Sequence, residues 1–124
     1  MTGRVTRQRD AVVGLRISAP SGRVRTVKAV VDTGFSESLA LPLHTVALLD
    51  LPPRGVGKAI MADGSEATLP VFWAIVEWHG VRRLVSAYGM GGSALIGMAL
   101  LEGSDLAIRA ANNGPVRIEP ISSP

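Results

Sequence analysis

Along the chain, apolar and polar positions alternate in short runs separated by turn residues, a period-two pattern that points to strands. Residues 11–18 (AVVGLRIS) and 23–31 (RVRTVKAVV) follow this pattern, and Pro20-Ser21-Gly22 between them predicts a hairpin. Residues 38–42 read as a short extended segment ending at Pro42. Residues 43–51 carry apolar side chains at helical spacing and predict a short helix, stopped by Pro52 and Pro53. Asp63-Gly64 predicts a type I′ turn, with positive φ at both residues, joining strands of about 58–62 and 65–69. The second strand continues with Phe72, Ala74, Val76 and Trp78 on one face and Trp73 on the other, so Trp78 is expected in the core. His79-Gly80 turns the chain into a strand at 81–88, and residues 89–93 (GMGGS) form a loop. Residues 94–103 predict a short strand and one or two helical turns, closed by Gly103. Two last strands, 105–110 and 115–121, flank a turn at Asn112-Asn113-Gly114. These elements describe a mostly β domain, a compact barrel with one or two short helices, spanning residues 1–124 with 1–9 as a flexible N-terminus.

Composition narrows the chemistry. A chain of 124 residues is one domain's worth, and 47% hydrophobic with 19% charged residues describes a globular protein. With no cysteine, thiol catalysis, disulfides and thiolate metal sites are excluded, and a reducing compartment suits the chain. The apolar run behind the basic N-terminus is too short for a signal peptide, and "VFWAIVEW" is broken by Glu77, so no segment is expected to span a bilayer. A cytoplasmic protein is the expectation. The net charge of +3 is mostly arginine. No aromatic residues interleave with the arginines, so a solvated basic surface is expected, with no nucleic-acid partner.

Several chemistries fail on spacing. Residues 89–94 fit a G-x-G-x-x-A fingerprint but lack the long helix that dinucleotide binding needs. Gly92 and Gly97 have P-loop spacing, yet Met98-Ala99 stands where Lys-Ser/Thr is required. His44 and His79 lack companion ligands, and no serine sits in a G-x-S-x-G elbow. No metal or cofactor is expected.

What remains is Asp32-Thr33-Gly34 at the end of an apolar strand, Ala29-Val30-Val31. A carboxylate there is held by the strand but sits where the chain turns outward. Gly34 permits a sharp turn and close approach of a ligand, and the Thr33 hydroxyl can brace the loop. Taken alone, the tripeptide also reads as an Asx-turn ending a strand.

With its surroundings, the motif resembles the catalytic loop of retropepsin-like aspartic proteases, specifically the small stand-alone bacterial kind. Leu41-Pro42 follows at the distance such members carry a Leu-Pro pair. The Ala62-Asp63-Gly64 tip lies where these enzymes have their flap. Leu95-Ile96-Gly97 looks like the second signature, which packs behind the catalytic loop and leads into a short helix. The resemblance implies a small closed β-barrel of the retroviral protease type and hydrolysis of extended polypeptide, without cofactor. Asp32 would be the catalytic carboxylate, with Thr33 and Gly34 shaping its loop. Phe35, Met61, Ala62, Asp63 and Gly64 would contact substrate. Phe35 departs from the small residue usual in retroviral enzymes. Glu37 reads as a surface residue, the other reading being a bias of the site toward basic side chains.

The chemistry needs two carboxylates, one ionised to activate water and one protonated to donate to the scissile carbonyl. Asp10, Asp50, Asp63 and Asp105 lack a following Thr/Ser-Gly. The resemblance therefore implies a two-fold homodimer with one Asp32 from each protomer. The alternative is a catalytically inert peptide-binding or dimerisation module on the same fold.

Overall fold

The computed structural model describes residues 1–61 and 63–122. The strands are β1 (Thr2–Val5), β2 (Ala11–Ser18), β3 (Val24–Val31), β4 (Leu39–Leu41), β5 (Pro53–Ile60), β6 (Glu66–Trp78), β7 (Val81–Gly89), β8 (Ala94–Ile96), β9 (Ser104–Ile108) and β10 (Pro115–Pro120). Two short helices, α1 (Leu43–Leu49) and α2 (Met98–Leu101), complete it. The strand order is β5-β6-β7-β4-β8-β3-β2-β1-β10-β9. A further pairing of β2 with β6, Ile17 opposite Val76, closes β2, β3, β8, β4, β7 and β6 into a six-stranded barrel.

Alternation along each strand fills this barrel. Val13, Leu15 and Ile17 of β2 meet Ala74, Val76 and Trp78 of β6, with Leu39, Leu41, Ile96 and Leu100 beside them. Trp78 is a core residue, whereas Trp73 on the opposite face lies under the Arg54 guanidinium, 5.2 Å from the ring centroid. The residues between them in sequence point the other way. Ala40, Val71 and Tyr88 join Ala59 and Phe35 in a second, smaller apolar cluster on the outer face of β4, β6 and β7. That cluster lies between the β5–β6 hairpin and the loop that follows Asp32.

Two expectations are corrected. Residues 1–9 are not a flexible tail: β1 is paired on both edges, with β2 and with β10. The Met1 amine donates to the Ile118 carbonyl at 3.0 Å, and Val5 is buried. The ladder is formed by backbone groups of a strand over a hundred residues away, so three exposed arginines near one buried valine do not advertise it. The second correction is at Asp63-Gly64, where Gly64 has positive φ, 85°, but the pair does not form the two central residues of a tight turn. The Gly64 N–H donates to the Met61 carbonyl and the Met61 N–H to that of Ser65, a longer loop than a two-residue turn. The Asp63 carboxylate caps this loop by accepting the Ser65 N–H at 2.9 Å and the Ser65 hydroxyl. The two-residue turn with positive φ at both positions is instead His79-Gly80, at 52° and 76°. The hairpin that Asp63-Gly64 closes is also longer than expected, because β5 begins at Pro53 and β6 runs to Trp78.

Candidate active site

Asp32 follows directly on β3 and continues its ladder. β8 runs parallel to β3, with Val31 opposite Ile96, and the Asp32 N–H donates to the Ile96 carbonyl at 2.9 Å. The chain then turns. The Phe35 N–H donates to the Asp32 carbonyl at 3.1 Å, and the Gly34 N–H donates to Asp32 Oδ1 at 3.0 Å. This is the Asx-turn the tripeptide allows, and it orients the carboxylate from within its own loop. Asp32 is half-buried, while Thr33 and Gly34 are exposed.

Leu95, Ile96 and Gly97 come together behind this turn. β8 lies between the two arms of the loop, parallel to β3 and antiparallel to β4, with Ile96 opposite Leu39. Gly97 is buried where the loop folds over it. Its N–H donates to the Ser38 carbonyl at 3.0 Å, and the next residue, Met98, donates to the Phe35 carbonyl at 2.7 Å. Ile96, Gly97 and Met98 thus hold both ends of the segment that carries Asp32 by backbone hydrogen bonds.

Of the other expected site residues, Phe35 turns inward and is buried, edge-to-face on Tyr88 with ring centroids 6.2 Å apart. Ala59, Leu69 and Val71 of the β5–β6 hairpin belong to the same cluster, so the hairpin packs against the side of the Asp32 loop that carries Phe35. Met61, Asp63 and Gly64 lie at the hairpin tip, outside this cluster; Ala62 falls outside the described residues. Hydrogen bonds from Ser65 hold the Asp63 carboxyl below its ordinary range.

The sequence pattern does not single out Tyr88 or Gly57, and it reads Glu37 as a surface residue. Tyr88 is nearly inaccessible, and a Cβ at Gly57 of β5 would stand 2.7 Å from its hydroxyl. Burial pushes the Tyr88 phenol above its usual value, the neighbouring Glu37 carboxylate adds to this, and Arg54 opposes it. Glu37 is half-buried beside that hydroxyl, not on the open surface. The only hint in the sequence was that Tyr88 is the chain's single tyrosine, ending an alternating strand.

The Tyr88 shift makes a prediction. The unfolded chain releases the phenolic proton near 10.0, the folded chain at higher pH. Between those values the folded state binds more protons, so stability should fall as pH rises through that interval. Denaturant melts from pH 8 to 11 should show this slope, and Tyr88→Phe should flatten it.

A groove of about 690 Å³ opens beside Val30 and Val31, immediately before Asp32. It is also lined by Val5, Ile108, Arg7, Arg9 and Asp10, though not by Asp32 itself. No group of three or more metal-ligating side chains occurs among the described residues. No helix among them is long and apolar enough to cross a membrane.

The six-stranded barrel, in which β8 holds the Asp-Thr-Gly turn between β3 and β4, has the retropepsin-like fold. Among solved structures the chain is similar to a retropepsin-like aspartic protease from Rickettsia conorii, with a TM-score of 0.51. The match covers 98% of this chain and 91% of that one at 16% identity, a likeness of fold. No protein-family model and no curated protein matches the sequence.

Proposed function

We propose that this protein is an aspartic endopeptidase that works as a two-fold homodimer on extended polypeptide. The observation that carries the reading is the Asp32 turn: a half-buried carboxylate oriented by its own Gly34 N–H and clamped by β8. One Asp32 from each protomer would meet across the axis. Two adjacent carboxylates share a proton, because both cannot be ionised at close range, and so supply a base for water and an acid for the scissile carbonyl. Thr33, exposed at the turn, would brace the loop against its partner. Exposed Gly34 would leave room for the substrate backbone. The apolar groove beside Val30 and Val31, with Arg7, Arg9 and Asp10 giving it both signs of charge, suits a self-complementary interface. The substrate would lie between the turns and the β5–β6 hairpin, hydrogen-bonding through its backbone, with Met61, Asp63 and Gly64 above it.

The test is incubation of concentrated protein with a peptide mixture from pH 3 to 8, with products read by mass spectrometry. Because the site needs two chains, activity per protomer should fall on dilution in step with the dimer fraction measured by sedimentation. A sample shown to be dimeric that cuts nothing across this range overturns the reading.

A further inference from the structure

Glu37 stands on the Asp32 loop, half-buried, with its carboxylate beside the Tyr88 hydroxyl. That hydroxyl in turn abuts Gly57 on β5. Glu37 therefore lies between the candidate catalytic turn and the hairpin that would cover a substrate. Its backbone is fixed there, since its carbonyl accepts the Ala99 N–H at 3.3 Å and leaves no space for a side chain at Gly97. Ion pairs among the described residues are Arg16–Glu77 and Lys58–Glu66, and neither involves Glu37. Arg54, whose charge reaches Tyr88, is placed over the Trp73 ring. Phe35, Ala59, Leu69 and Val71 surround this region with apolar surface. A half-buried carboxylate that forms no ion pair among the described residues gains most from a cation that arrives with a ligand.

We infer that Glu37 is a specificity-determining residue that selects a lysine or arginine side chain of the peptide lying between the Asp32 turn and the β5–β6 hairpin. The aliphatic stem of such a side chain would pass over the Phe35–Tyr88 cluster while its charged end meets Glu37. This rests on the reading of the cleft as a peptide site, and its test does not require turnover.

Peptides that differ only by lysine or norleucine at one position, scanned along an extended sequence, would be titrated onto the Asp32→Asn protein. At one position the lysine peptide should bind about tenfold tighter. In the Asp32→Asn/Glu37→Gln protein that ratio should fall to near one, and with Glu37→Lys a glutamate peptide should be favoured over its glutamine counterpart. Equal binding of lysine and norleucine peptides, or a lysine preference that survives Glu37→Gln, overturns the assignment while peptide binding still stands. Absence of binding by any peptide overturns both.

Discussion

On the proposed function, exchange of Asp32 for asparagine should abolish peptide hydrolysis while leaving the fold and the proposed dimer in place. The substitution is nearly isosteric, and an amide oxygen can still accept the Gly34 N–H that sets the turn. The backbone bond to Ile96 and the β8 clamp do not involve the side chain. What is lost is the ability to take up and return a proton. In the proposed two-fold dimer the change would remove both members of the pair, the base for water and the acid for the carbonyl. Loss of a positioned acid–base group lowers rates by about 10²–10⁴-fold, and loss of both should reach or exceed that range. Cleavage rates, with circular dichroism and sedimentation as controls, decide it. An asparagine variant that keeps wild-type turnover would mean that Asp32 is not the reacting carboxylate.

Gly97→Ala should be the most damaging single methyl group in this site. The backbone of Gly97 is extended, at φ −101° and ψ 177°, so no conformational strain arises. The cost is steric. A Cβ there would sit 2.0 Å from the Glu37 carbonyl oxygen and 2.6 Å from that of Phe35. Neither neighbour is a flexible side chain. Relief would require the Asp32 loop to lift away from β8, breaking the Gly97–Ser38 and Met98–Phe35 hydrogen bonds on either side. A loss of about 3 kcal/mol or more is expected, the upper range for overpacking. Whatever fraction stays folded should have lost activity through displacement of Asp32. Denaturant unfolding and cleavage assays measure the two effects separately. Gly64→Ala at the hairpin tip is the contrast, because among the described residues nothing lies within 4 Å of its Cβ position, and the positive φ opposes the change.

Much of the architecture was legible in the residue pattern because it is local. Period-two alternation marked β2, β3 and the core face of β6, where Ala74, Val76 and Trp78 are buried as the pattern requires. Pro52 and Pro53 ended α1 close to where it stops. The Asp-Thr-Gly turn and the Leu95-Ile96-Gly97 segment could be paired in advance only by resemblance, since nothing within either segment refers to the other. Local propensity misled at Asp63-Gly64. There the Ser65 hydroxyl and N–H tie the aspartate into a longer loop, and a two-residue turn with positive φ at both positions stands at His79-Gly80.

The sequence by itself determined the mostly β class, the strand faces, the absence of thiol chemistry and the single Asp-Thr-Gly motif. These depend on side-chain identity and near neighbours. Only the tertiary structure decided that the first residues form β1 between β2 and β10, because a backbone ladder to a distant strand leaves no side-chain pattern. The same holds for β8 lying between the arms of the Asp32 loop, which explains why position 97 admits only glycine. Glu37 looks like a surface charge in sequence. Its place beside Tyr88, beneath β5, follows from barrel closure and the packing of a hairpin across it, which set burial by contacts remote along the chain.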